Sequence, residues 1–254
     1  MKISHEAPIS ILDKVQTKTD YDYCLLHMLL QNESYRDWFV NKARKEHLIL
    51  DNSAFELGAG LTGDKIVEGY EMIHPEFVVA PDVVKDKNTT IENFKEFKAR
   101  YDSKVGKIGG VVQGANEQEM NECLQFMFDN ADLVMIPAGI FNTGEDRAMF
   151  ILKNVKRGTW KTNKPVHLLG CKELTEYSAY RSVKNIVSTD TSSPVVYGYE
   201  VGKYPEDIYD YKKRKNMVDY EKIITTDTLE SIYSNIDRFK HYCNNVEFER
   251  IVQE

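Results

Sequence analysis

The chain has 254 residues, 42% hydrophobic and 29% charged, enough for one large domain or two small ones with a full core. That composition excludes a disordered chain, and no apolar run approaches the roughly 20 residues of a membrane-spanning helix, so no membrane partner is expected. A formal charge of −7 does not carry the basic footprint usual in nucleic-acid-binding proteins.

The first twenty residues are polar and hold no stretch suited to secretion, which points to a cytoplasmic protein. Short apolar runs then recur at 23–28, 48–50, 77–80, 108–112, 133–136, 166–169 and 186–187, with 195–199 as a candidate eighth. Most are rich in Val, Ile and Leu, as strands buried on both faces are. Helical patterns lie between them. Asn88 or Thr89 is placed to cap a helix carrying Ile91, Phe94 and Tyr101. Met120, Cys123, Leu124, Met127 and Phe128 recur at helical spacing. Residues 204–220, rich in Tyr, Lys and Asp, fit no unit and read as a surface excursion. Asp227 and Glu230 form a capping-box pattern before a helix over about 228–245, with a stripe of Leu229, Ile232, Tyr233, Ile236, Phe239 and Cys243.

Strands alternating with helices imply parallel βαβ units. Seven or eight units in this length predict an α/β fold of the (β/α)8 TIM-like barrel class, as a single domain over 1–254. A doubly wound open sheet is the alternative that patterning leaves open. The cysteines, Cys24, Cys123, Cys171 and Cys243, are widely spaced and follow no metal-ligand spacing, so they read as buried small hydrophobes.

Polar residues gather where the runs stop. The run 48–50 ends in Asp51, followed by Asn52, Ser53, Ala54, Phe55 and Glu56. The run 77–80 ends in Pro81 and Asp82, and 108–112 in Gln113 and Gly114. Further on, 133–136 leads to Pro137, Ala138 and Gly139, 166–169 to Gly170, and 186–187 to Ser188, Thr189 and Asp190. In an α/β barrel these ends share the catalytic face. A lone Asp after a strand usually caps a helix or makes an Asx turn. Three at strand ends, with Gln113, point to a site whose acids perturb one another's protonation.

These residues also carry a resemblance. Asp51-Asn52-Ser53-Ala54-Phe55 resembles the Asp-Ser-Gly-Gly-aromatic motif of the tRNA-guanine transglycosylase superfamily. Ala80-Pro81-Asp82 followed by Thr89-Thr90 resembles its second aspartate motif, and Val111-Val112-Gln113-Gly114 its Val-Gln-Gly signature. Pro137-Ala138-Gly139-Ile140 stands where the family has a glycine-rich strand end. Lys164-Pro165-Val166-His167-Leu168-Leu169-Gly170, continuing to Thr189-Asp190-Thr191, is similar to its Lys-Pro-x-x-Leu-Met-Gly segment and nucleophilic aspartate. The motifs run in family order from Asp51 to Asp190 and leave the first fifty residues and the last quarter uncovered.

The resemblance implies a pentosyltransferase that exchanges guanine in nucleic acid for a 7-deazaguanine, with no cofactor. It implies Asp190 as the nucleophile that captures C1′, and Asp51 as general acid and base. Asp82 would accept from the base edge, with Gln113 and a backbone N–H near Gly139 meeting the carbonyl side. Phe55 would stack on the base opposite Leu169, with Gly170 lining the same pocket. Phe55 read without the resemblance suits a core position equally well.

The chain departs from the family in two places. It lacks the Cys-x-Cys-x-x-Cys…His zinc cluster of the bacterial tRNA enzymes, so neither a zinc subdomain nor a metal is expected. Where the family has a basic loop after the nucleophile, this chain has Thr191-Ser192-Ser193-Pro194-Val195. Both features, with the compact length, are closer to the phage and bacterial branch that inserts 7-deazaguanine, preQ0 included, into DNA. DNA is therefore the expected polynucleotide and tRNA the alternative, and a homodimer is compatible. Two basic stretches are candidate phosphate contacts: Lys153, Lys156, Arg157, Lys161 and Lys164 around Trp160, and Lys212-Lys213-Arg214-Lys215. A solvated helix end and a surface loop explain them as well. The rival functions are a non-catalytic nucleic-acid-binding paralogue and a glycosidase or sugar-phosphate barrel using the same carboxylates.

Overall fold

The computed structural model describes residues 1–171, 173–207, 211 and 217–245. Eight parallel strands alternate with helices: β1 (Lys2–Ser4), β2 (Tyr23–Leu25), β3 (Ile49–Asp51), β4 (Phe77–Val79), β5 (Lys107–Val111), β6 (Leu133–Pro137), β7 (Val166–Leu169) and β8 (Ile186–Asp190). Their order in the sheet is β1-β8-β7-β6-β5-β4-β3-β2. The chain therefore has the (β/α)8 TIM-like barrel fold, and the open doubly wound sheet is set aside. Contacts group the chain into two compact units. The first comprises Met1–Asp20, Phe141–Thr162 and Gly170–Glu254; the second comprises Tyr21–Ile140 and Asn163–Leu169.

The second unit holds β2 to β7, each parallel to its neighbour, with Leu25 opposite Asp51 and Val79 opposite Gly109. Ile49, Leu50, Val78, Val79, Ile108, Val134, Met135, Ile136, Val166 and Leu168 are all sealed from solvent. Helices on one side and side-chain layers on the other leave no polar face on such strands. In β5, a Cβ on Gly110 would lie 2.5 Å from Met127 Sδ, so glycine lets the helix Glu117–Asn130 seat against the strand. Short polar side chains start three of this unit's helices, those opened by Asn32, Asp86 and Asn116. Asn32 accepts from Tyr35 N–H at 2.9 Å to open Glu33–Asn41, which buries Trp38 and Phe39. Asp86 does the same for Lys87–Tyr101, accepting from Thr89 N–H at 3.0 Å. The predicted caps, Asn88 and Thr89, thus lie inside that helix; the cap is an acid three residues before Thr89.

The apolar run 23–28 is not one strand. Its second half belongs to the helix Leu26–Gln31, where Leu26 and Leu29 are buried. A continuous apolar run has no period that separates a buried strand from a buried helix turn.

In the first unit β1 lies parallel to β8, with Ser4 opposite Asp190. The helix Gly144–Arg157 begins with a capping box: Thr143 Oγ1 accepts from Asp146 N–H at 3.0 Å and Thr143 N–H donates back at 3.0 Å. The eighth strand is β1, and residues 195–199 instead form part of the helix Ser193–Glu200. Pro194 presets the first turn there, and Gly198 lies so close to Ile232 that a Cβ would come within 2.5 Å of its Cγ1. The C-terminal helix runs Thr226–Asn245 and buries Ile232, Ile236, Phe239 and Cys243. Leu229 and Tyr233 are only partly covered. Thr225 Oγ1 accepts from Thr228 N–H at 3.4 Å, so Thr225 opens this helix in place of Asp227.

All four cysteines are buried and free. No helix among the described residues is long and apolar enough to cross a membrane.

Candidate active site

In the second unit the acids sit at the C-terminal ends of adjacent strands. Asp51 closes β3, and the chain turns at once through Ser53, whose φ of 63° is left-handed. Two hydrogen bonds hold that turn: Ser53 N–H to Asp51 Oδ2 at 2.7 Å and Ala54 N–H to Asn52 Oδ1 at 2.8 Å. Tyr23, on β2, donates its hydroxyl to Asp51 Oδ1 at 2.8 Å, and its ring stacks on buried His167 with centroids 5.9 Å apart. Burial and the neighbouring Glu56 carboxylate push the Asp51 carboxyl up to about 8, against the pull of the Tyr23 and Ser53 hydrogen bonds. Asp51 therefore exchanges its proton near neutral pH.

Asp82, just beyond β4, is bracketed by two amides. Asn52 Nδ2 donates to Oδ1 at 2.7 Å and Gln113 Nε2 to Oδ2 at 2.7 Å. Burial still raises its carboxyl above the ordinary range. Gln113 is itself oriented by Lys85 N–H, which donates to Oε1 at 2.9 Å; Lys85 takes a left-handed φ of 63° there. The Gln113 carbonyl thus faces Lys85, and its amide acts first on Asp82. The loops after β3 and β4 are joined by a bridge between Ala59 and Val83 and by Gly60 N–H to Asp82 C=O at 3.0 Å.

Phe55 is 70% exposed, which removes the reading of this residue as core. Its ring lies beside Gly139, 3.5 Å from where a Cβ would stand. Asp51, Asp82, Gln113, Phe55 and Gly139 therefore belong to one unit and follow β3, β4, β5 and β6. Leu169, also in this unit, is half-buried at the end of β7.

In the first unit Asp190 closes β8 and is buried. Its Oδ1 accepts Gly170 N–H at 3.1 Å. Gly170 has φ 66°, and its carbonyl accepts from Arg147 Nη2 at 3.0 Å and from the Tyr177 hydroxyl at 3.3 Å. The same Tyr177 oxygen is 2.9 Å from Thr189 Oγ1. After Asp190 the chain enters the helix Ser193–Glu200, and Ser193 Oγ lies 2.5 Å from the Tyr211 hydroxyl and 3.3 Å from that of Tyr204. Hydroxyls thus gather directly after Asp190.

The basic stretch 153–164 divides. Lys156 and Arg157 are exposed at the C-terminal turn of the helix Gly144–Arg157, where cations complement the helix dipole. Trp160 is buried with Nε1 donating to Asn185 Oδ1 at 2.8 Å, so it is a core residue rather than a stacking platform. Lys164 Nζ donates to Ala131 C=O at 2.9 Å. The second basic stretch, 212–215, lies outside the described residues, as does part of the excursion 204–220. Among the described residues no group of three or more His, Cys, Asp or Glu is placed to hold a metal ion.

Tyr23, Asn52, Lys85, Arg147 and Tyr177 were not foreseen from the sequence. Each acts on a foreseen residue from a distant place in the chain or through a backbone group. No protein-family model and no curated protein matches this chain.

Proposed function

We propose that the protein is a base-exchange transglycosylase that replaces guanine in DNA with a 7-deazaguanine through a covalent aspartyl–sugar intermediate. The observation that carries this reading is the cluster in the second unit: buried Asp51 and Asp82 at the ends of neighbouring strands, beside a largely exposed Phe55. A planar base needs an aromatic face and an edge that accepts its N–H groups, and an amide-bracketed carboxylate such as Asp82 is suited to that edge. Sugar rings also stack on aromatic faces, so it is the combination of Phe55 with the amide-bracketed acceptor Asp82 that favours the base over the glycosidase reading.

Chemistry follows from the roles of the two strand-end acids. Asp190 attacks C1′ as the bond to guanine N9 breaks, and the departing base takes the proton of Asp51. The incoming 7-deazaguanine returns its N9 proton to Asp51 and attacks C1′, releasing Asp190. A group that passes a proton both ways at neutral pH needs an affinity near neutrality, and Asp51 at about 8 meets that need. The left-handed Ser53 adds support, since the motif it resembles has glycine at that position.

The test is incorporation of labelled guanine into DNA and, separately, into tRNA, with Asp190→Ala and Asp51→Asn as controls. Incorporation into DNA alone, with an adduct at Asp190 in the wild-type protein, is the expected result. Incorporation into tRNA alone would move the substrate to tRNA. Absence of exchange and adduct with both polymers would overturn the enzyme reading.

A further inference from the structure

Behind Asp190, in the first unit, lies an ion pair with both side chains at 0% exposure. Arg147 Nη2 lies 2.8 Å from Glu176 Oε1, and Arg147 Nε donates to Glu176 Oε2 at 3.0 Å. Tyr180 adds its hydroxyl to Oε2 at 3.3 Å. Gly144 makes room for this pair, since a Cβ there would come within 3.1 Å of Glu176 Cδ. Sealing two charges from water is a poor way to gain stability, because their desolvation offsets their attraction. A fixed guanidinium fork does set geometry, and this one has a further N–H directed at the Gly170 carbonyl.

Gly170 is the backbone link to Asp190. Its N–H donates to the carboxylate, while its C=O is gripped by Arg147 and Tyr177. The Gly170 N–H and C=O lie in successive peptide planes joined by the soft torsions of a glycine; gripping the carbonyl restrains those torsions and so limits how far the N–H turns from Asp190. Tyr177 ties the same carbonyl to Thr189, the residue before Asp190.

We propose that Arg147, locked by Glu176, is a positioning residue: through Gly170 it holds the Asp190 carboxylate in the one orientation from which it reaches its target carbon. The proposal rests on the reading of Asp190 as the nucleophile. Its role is geometric, so losing it slows formation of the covalent bond without weakening capture of the free base.

The test uses the double variant Arg147→Met/Glu176→Met, which removes both charges together and keeps their approximate volume, a change buried ion pairs commonly tolerate. Leu-Gly occurs only at 57–58 and 169–170, so [13C′]Leu/[15N]Gly labelling isolates two amide signals, and Asp190→Asn identifies that of Gly170 by shifting it. The expected result is a folded variant whose Gly170 amide moves toward its position in Asp190→Asn. Its kcat for guanine exchange falls ~10–100-fold while KM for guanine is unchanged. A folded variant with either the Gly170 signal or kcat unchanged overturns the proposal. If wild-type protein exchanges no base, the functional reading fails, and the Gly170 signal still decides whether Arg147 orients Asp190. Should the double variant not fold, Tyr177→Phe removes one of the two grips on the carbonyl and keeps the ring; the same pair of readouts, with a smaller fall in kcat, then decides.

Discussion

Asp51 and Asp190 both close a buried parallel strand, and their carboxylates are held in contrasting ways. Asp51 accepts from its own turn and from the hydroxyl of Tyr23, with a second carboxylate, Glu56, acting on it. Burial and that neighbour decide its proton affinity. Asp190 accepts from a glycine N–H whose other side is anchored by a sealed ion pair. Rigidity is the theme there. On the proposed roles, the acid that moves protons is tuned by dielectric and charge, and the one that meets a carbon by direction.

The contrast is most exposed to Asp51→Asn. If Asp51 carries the proton, kcat for base exchange drops about 10²–10⁴-fold in this variant, which leaves Asp190 unchanged. A loss no larger than that of a surface substitution would break the comparison at its first term. Phe55→Ala is the next largest. Removing a stacking face costs about 1–3 kcal/mol of base binding, seen in KM, and Tm is unchanged because the ring is mostly in solvent.

Proton affinity also appears in stability. Folded Asp51 keeps its proton to about 8, whereas the unfolded carboxyl releases it near the ordinary 3.8, so unfolding between those values releases a proton and rising pH favours the unfolded chain. In the first unit, burial lowers the His5 imidazole from 6.5 to about 4, against the hydrogen bond to Thr191 C=O. That group has the opposite sign: unfolding takes up a proton between those values, and stability rises with pH there. The two slopes oppose one another up to pH 6.5, above which that of Asp51 acts without His5. Chemical denaturation should show wild-type stability falling by roughly 2 kcal/mol relative to Asp51→Asn between pH 6.5 and 8. A flat difference would remove the claim that Asp51 is folded around its proton.

Tyr23→Phe is the smallest change. It deletes a hydrogen bond that favours the ionised carboxylate, so the Asp51 carboxyl should titrate about half to one pH unit higher, read by carboxyl 13C shifts. A downward shift would reverse the assignment of donor and acceptor.

The strand ends were legible because a buried strand announces itself by apolar content and stops at its first polar residue. Asp51 and Gln113 directly follow such runs and Asp82 follows one after a proline, whereas Asp190 lies beyond Ser188 and Thr189, two polar residues that β8 itself includes. β1 was not, since Lys2–Ser4 offers Ile3 as its only large apolar residue and pairs through backbone groups that leave no pattern. Residues 195–199 misled in the other direction. Their Val and Tyr side chains suit a strand, but a proline in the first turn and a close neighbour at Gly198 select a helix. Partners such as Tyr23 for Asp51, or Arg147 for Gly170, join positions far apart in the chain and become visible only when the strands are side by side.

The chain has two tryptophans, and each unit buries one: Trp38 in the helix Glu33–Asn41 of the second unit, Trp160 against Asn185 in the first. Each unit thus contains its own fluorophore, and Trp38→Phe or Trp160→Phe leaves a single emitter reporting on one of them. A melting curve followed by emission wavelength becomes a record of two separately addressable halves, with the proton-carrying acid in one and the nucleophile candidate in the other.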